Sequence, residues 1–134
     1  MGKALTAAEA ATAEATPAGA TRLVVVGIDV DAQFVDVDPR GDSPGDYVAL
    51  THHLFTEAGK RIGRDQARCM LMFRDELYCE ANLIIAGRGE LIFEGFADDL
   101  VPVVGGTGEF KKARGQGRVI PVPNGAKFVF TLFL

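Results

Sequence analysis

The sequence predicts an all-β protein, an eight-stranded antiparallel up-and-down barrel, on three observations. From Arg22 onward, short apolar or alternating segments are separated by clusters of Gly, Pro, Asn and Asp, and no helical period is sustained over three turns. Most neighbouring segments are joined by connections of hairpin length, among them Pro123-Asn124-Gly125, where Asn-Gly supplies the positive φ of a tight turn. Several segments are apolar on both faces and need cover on both sides, which a closed barrel that also oligomerises provides. A sandwich of two sheets is the competing architecture.

At 134 residues the chain is sized for one domain with a sizeable core. Residues Met1 to Thr21 are rich in Ala, Thr and Glu, and Pro17 and Gly19 cut them from the rest of the chain, so a flexible leader before a domain over 22–134 is expected. The leader lacks the cationic start and continuous apolar stretch of a secretory signal, which points to a cytoplasmic protein. Within the domain, strands are predicted at Leu23–Val30 and Gln33–Asp38, followed by the turn-rich loop Pro39–Gly45. Asp46–Thr56 and Gln66–Phe73 form a hairpin turning at Ala58-Gly59. Glu76–Ile85 follows a turn at Arg74-Asp75, and Glu90–Phe96 follows one at Gly87-Arg88. Arg118–Val122 and Lys127–Leu134 close the series. Between them, the glycine-rich stretch Val104–Gly117 surrounds a single aromatic, Phe110. It is expected to be a rigid connector with one helical turn, capped by Thr107 and ended by Gly115.

Composition removes several function classes. The net charge of −4, without a basic tract, argues against nucleic acid, and no apolar run reaches membrane-spanning length. Gly106 and Gly108 begin a GxG pattern but lack the third glycine and the lysine–serine pair of phosphate loops. Cys69 and Cys79 make neither a disulfide framework nor a zinc site and are expected to be free thiols in a reducing compartment. Asp29, Asp31, Asp36 and Asp38 have the wrong spacing for a metal cluster and suit a solvated strand edge or turn.

Pairing register converts into a set of side chains on one face. With two-residue turns at Arg74-Asp75 and Gly87-Arg88, Leu71 lies opposite Tyr78, Cys69 opposite Glu80, and Asn82 opposite Phe93, while Cys79 points away. The turn at Ala58-Gly59 adds Leu50 and His52 to this face. It is apolar with few polar groups, the composition of a ligand pocket. Glu80 is the candidate general acid or base, because burial among apolar neighbours raises a carboxyl pKa; a Glu80 near the barrel mouth, solvated or paired with an arginine, is the equal alternative. His52 is placed to shape or polarise a ligand, and Cys69 to act as a small wall residue. The opposite face carries Leu77, Leu83, Ile85, Ile92 and Phe96, an apolar patch suited to a dimer or trimer contact.

The stretch Gly105-Gly106-Thr107-Gly108-Glu109-Phe110-Lys111-Lys112-Ala113-Arg114-Gly115, with the aromatic strand Phe128–Leu134, resembles the glycine signature of the allene oxide cyclase and dirigent barrels. Gly45-Asp46-Tyr47-Val48 to His52, and Lys60-Arg61-Ile62-Gly63 leading to Cys69, are similar to further motifs of that family, and the resemblance runs over about Val24 to Leu134. Its bacterial members are the nearest in pattern. The resemblance implies a trimer-forming eight-stranded barrel that closes rings without metal or organic cofactor. It places the family's pocket cysteine at Cys69, its pocket asparagine at His52 and a second asparagine near Asp29. The family's catalytic glutamate falls near Gly27, and its serine–proline pair has no counterpart, which moves the implied substrate from oxylipin-like allene oxides toward polyketide-like intermediates. The expected function is a cofactor-independent cyclase or isomerase of natural-product biosynthesis. It would bind a hydrophobic, unsaturated small molecule through Asp29, Leu50, Cys69, Leu71, Tyr78, Asn82 and Phe93, with Glu80 and His52 catalytic. A dirigent-like or carrier protein without chemistry of its own is the alternative.

Overall fold

A computed structural model describes residues 16–97 and 100–134. They form a closed antiparallel barrel in which each of eight strands pairs with its neighbours in sequence and β1 closes on β8. The strands are β1 (Thr21–Val35), β2 (Tyr47–Phe55), β3 (Arg61–Leu71), β4 (Leu77–Ile85), β5 (Gly89–Phe96), β6 (Val101–Gly106), β7 (Arg114–Val122) and β8 (Gly125–Phe133). Two short 3-10 turns, Phe73–Asp75 and Gly108–Phe110, are the only helical elements among the described residues. Neither is long and apolar enough to cross a membrane. The leader lies largely outside the described residues, and β1 begins at Thr21.

The predicted architecture and strand number hold, although two strands differ from expectation. The segments expected at Leu23–Val30 and Gln33–Asp38 are one strand, continuous through a β-bulge between Asp29 and Asp31. The bulge switches which residues face inward, from Gly27 and Asp29 to Ala32 and Phe34, so a single strand reads as two patterns. The eighth strand is instead β6, supplied by the glycine-rich stretch. Gly106 pairs with Leu91 in that strand, and the position requires glycine because a Cβ there would lie 2.2 Å from the Glu90 carbonyl oxygen and 2.8 Å from Phe110 Cβ. Thr107 does not cap the 3-10 turn after it; its hydroxyl accepts a bond from the Glu90 N–H at 3.1 Å.

The inner face departs further from expectation. Between β3 and β4 the chain turns through Phe73–Asp75 with Arg74 and Asp75 at φ 62° and 60°, and Met72 N–H donates to the Glu76 carbonyl at 2.7 Å. This connection is longer than a two-residue hairpin, so Cys69 pairs with Cys79 and Arg68 with Glu80. Every β4 side chain is therefore inverted relative to expectation. Cys79, Ala81, Leu83 and Ile85 face the lumen, whereas Tyr78, Glu80, Asn82 and Ile84 face outward. A three-residue turn, Ala86 to Arg88, then pairs Ile85 with Gly89 and restores the parity, so Leu91 and Phe93 face inward as predicted. The predicted oligomer patch loses Leu83 and Ile85, which are 0 % and 3 % exposed inside the barrel.

One half of the lumen is solid. At the end where β1 starts, Val25, Leu54, Leu83, Leu91, Phe130 and Leu132 interdigitate, and Phe110 folds in from the 3-10 turn to plug that end. The inner positions of an eight-stranded barrel are just wide enough to be filled by such side chains. At the opposite end, loop 36–46 is pinned by the Asp46 carboxylate, which accepts from Val37 N–H at 2.9 Å and Ser43 N–H at 3.0 Å. The Ser43 N–H is the main reason that carboxyl is held below the usual range, against the opposing effect of burial and with help from Val37 and the Ser43 hydroxyl.

Phe110 is fully buried, so its truncation leaves a cavity at the plugged end. Phe110→Ala is expected to destabilise the barrel by about 3–5 kcal/mol, measured as a lowered urea midpoint with the slope of the transition unchanged.

Candidate ligand-binding cavity

The other half of the lumen is hollow because its inward positions are small. Ala67 and Cys69 on β3, Cys79 and Ala81 on β4 and Ala126 on β8 stand where the plugged half carries leucine and phenylalanine. The space left is a cavity of about 360 Å³, within the range of small-molecule sites. Phe93 and Phe128 form its floor, with ring centroids 5.8 Å apart, and Phe130 stacks beneath Phe128 at 6.2 Å. Leu50, Val101, Val119 and Pro121 complete walls that are largely apolar.

Polarity is concentrated on one wall. His52, 5 % exposed, is held between two carboxylates: Nδ1 lies 2.9 Å from Asp65 Oδ1, and Nε2 lies 3.0 Å from Asp29 Oδ1. Asp65 also accepts the His52 backbone N–H at 2.8 Å and is 1 % exposed, so His52 provides a bond from its main chain and another from its ring. Asp29 stands at the open side, half exposed, with its backbone N–H fixed by the Asn124 carbonyl at 2.8 Å. Gly27 makes room for the ring, since a Cβ there would lie 3.1 Å from both His52 Cγ and Phe128 Cε2. Phe128 meets the imidazole edge-on, with centroids 6.1 Å apart. The arrangement fixes the ring's position and occupies both nitrogens. A proton donor, an acceptor and a buried counter-charge thus share one wall.

Burial of the imidazole is the largest single influence on its pKa and lowers it. The hydrogen bond and charge of Asp65, joined by the charge and hydrogen bond of Asp29, together outweigh burial and leave His52 above its ordinary 6.5. Protonated, His52 donates from both nitrogens.

Of the predicted site residues, His52, Asp29, Cys69, Leu50 and Phe93 meet in this cavity. Leu71 lines a neighbouring hollow of about 230 Å³ with Phe34, Tyr47 and Leu77, and Cys69 borders both spaces. Glu80 borders the main cavity, but its carboxylate binds Arg68 at 2.8 Å with both groups more than 40 % exposed. The solvated, arginine-paired alternative therefore describes it. Tyr78 packs edge-on against Phe96 at 5.4 Å, and Asn82 Nδ2 donates to Glu90 at 2.9 Å, both on the outer surface. Cys69 and Cys79 are not free thiols: facing each other across β3 and β4, they form a disulfide with an S–S distance of 2.04 Å. That removes the ground on which a reducing compartment is expected.

Asp65 is the principal residue that sequence reasoning misses. Starting β3 at Gln66 leaves Asp65 in a turn. Yet the same Ala58-Gly59 hairpin register sets Asp65 opposite His52, and it alternates with Ala67, Cys69 and Leu71. A lone carboxylate on that apolar alternation is the available signal.

A histidine whose folded pKa is raised stabilises the fold fully below its unfolded value and loses that contribution as pH rises through the folded pKa. Wild-type thermal stability is therefore expected to fall, relative to His52→Gln, as pH rises from about 6.5. Parallel melting curves of the two proteins across this range check it; equal pH slopes would show that the His52 proton is not linked to folding.

No protein-family model matches the chain, and no curated protein matches it. Solved structures do. A pyocyanin demethylase superposes with a TM-score of 0.73 at 21 % identity, covering 84 % of this chain and 99 % of that one. AbnU, an exo-specific intermolecular Diels-Alderase, gives 0.67 at 15 % identity over 84 % and 97 %. The Diels-Alderase AbmU from Streptomyces koyangensis gives 0.62 at 18 % identity, over 83 % of this chain and 62 % of that one. At these identities the likeness establishes a shared barrel fold.

Proposed function

We propose that this chain is a cyclase or isomerase of natural-product biosynthesis that binds an unsaturated, largely apolar small molecule in the lumen and directs its ring closure. The observation that carries this reading is a ligand-sized cavity with apolar walls and its polarity gathered at His52. Such a chamber holds a flexible chain with its reacting ends together and excludes water from them. When protonated, the His52 ring can donate from Nε2 to a substrate carbonyl in place of Asp29. Hydrogen bonding to a carbonyl conjugated with a reacting double bond draws electron density from that bond and favours ring closure. Asp65 is a positioning residue that holds the ring, and Asp29 is the proton acceptor nearest the ligand. Two of the fold relatives are Diels-Alderases, and a further one, 18 % identical with a TM-score of 0.63, is described as a nonspecific heme-binding cyclase that catalyses a [4 + 2] cycloaddition. These support the reaction class. The allene oxide cyclase resemblance supports the same class of lumenal ring closure, with Cys69 and His52 at its matching positions.

A linear trienone carrying a terminal diene and an enone serves as probe. The wild-type protein is expected to convert it to a cyclic product of equal mass faster than buffer does. His52→Gln is expected to lower kcat by about 10²-fold with little change in probe affinity. Glu80→Gln, on the outer surface, is expected to turn over at the wild-type rate. Probe that binds in the lumen yet cyclises no faster than in buffer would make the protein a carrier.

A further inference from the structure

The chamber and its mouth carry an excess of acidic groups. Asp29, His52 and Glu80 line the cavity, and among the described residues no lysine or arginine does. His52 lies between two carboxylates, so the group Asp29–His52–Asp65 with a protonated ring carries one net negative charge. Asp29, half exposed, is its member facing the ligand space. Asp29 Oδ1 meets His52 Nε2 at 3.0 Å. The nearby cations are directed elsewhere. Arg68 is on the outer face, bound to Glu80 at 2.8 Å and lying over the Tyr47 ring, and Lys127 binds Glu57 at 2.9 Å.

The same sign extends around the entrance. The connections at the open end carry Asp36, Asp38, Asp42 and Asp46 against Arg40 in loop 36–46, and Asp75 and Glu76 against Arg74 between β3 and β4. The connections at the plugged end carry the reverse, with Lys60, Arg88, Lys111 and Lys112 against Glu57 and Glu109. A barrel so divided has its field pointing cations toward the mouth and turning anions away, and low-dielectric walls focus that field into the cavity. The floor suits the same ligand, since the faces of Phe93 and Phe128 attract positive charge.

We propose that the lumen selects organic cations, in the form of small conjugated molecules bearing a protonated amine or a delocalised positive charge. The charge sits against Asp29 and the ring system against Phe93 and Phe128, and carboxylates are excluded. This rests on the lumen being the ligand site and narrows its substrate class: neutral molecules enter with lower affinity, and a fatty-acid-like oxylipin is rejected for its carboxylate.

The test uses three probes of one skeleton and nearly one volume, namely naphthylmethylamine, naphthylmethanol and naphthoate, titrated calorimetrically at neutral pH and low salt into the full-length protein. The amine is expected to bind about tenfold more tightly than the alcohol, with naphthoate weaker still, and salt is expected to compress the ranking. Asp29→Asn is expected to bring amine and alcohol within about threefold of each other, the loss of one charge contact. Naphthoate binding as tightly as the amine to wild-type protein would overturn the charge selection while leaving the lumen as a ligand site. If none of the three binds, the lumenal reading itself fails and this inference with it.

Discussion

A carboxylate cut off from water must find its hydrogen bonds inside the protein, and the barrel is arranged so that Asp65 finds them on His52. One bond comes from the His52 backbone and one from its ring, so strand pairing and side-chain orientation are set by the same contact. Removing either partner would leave a buried polar group unsatisfied, a cost larger than the net worth of an ordinary hydrogen bond. The ring, once fixed, requires Gly27 to lack a side chain and requires Phe128 to stand edge-on to it. Phe128 in turn belongs to the aromatic floor on which the cavity rests. The site is therefore continuous with the core.

The division of the lumen follows from side-chain volume. Strands of similar register carry leucine and phenylalanine toward one end and alanine and cysteine toward the other, so the plug and the chamber belong to one continuous inner surface. Stability is concentrated at the plugged end, where fully buried apolar side chains are densest. The chamber end carries the polar and charged groups, where fewer large side chains are buried. Neither end could adopt the other's composition without losing closure or volume.

Barrel class is legible in the sequence because alternation and turn residues survive any small error of register: Asn124-Gly125 and the aromatic run Phe128–Leu134 read the same way in every alignment of the strands. The site is legible only in part because it depends on parity. The hairpin of β2 and β3 reads in its true register, which puts His52, Leu50 and Cys69 on the inner face. Across Phe73–Asp75, two residues with positive φ that are not glycine lengthen the turn, and nothing in Arg74 or Asp75 announces that conformation. One added residue there is enough to exchange Glu80 for Cys79. The family resemblance rests on motif positions and not on register, and the residues it points to, Cys69, His52 and Asp29, border the cavity.

The bulge in β1 has a consequence for how this barrel is able to vary. Because inward parity changes at Val30, Asp29 belongs to the chamber's phase and Phe34 to that of the vestibule, although both lie on one strand. The offset acts as a joint between two independently tunable modules. Side chains beyond it can be exchanged to reshape the entrance without moving the partner of His52, whereas regular alternation through Val30 would turn Phe34 to the face opposite Asp29.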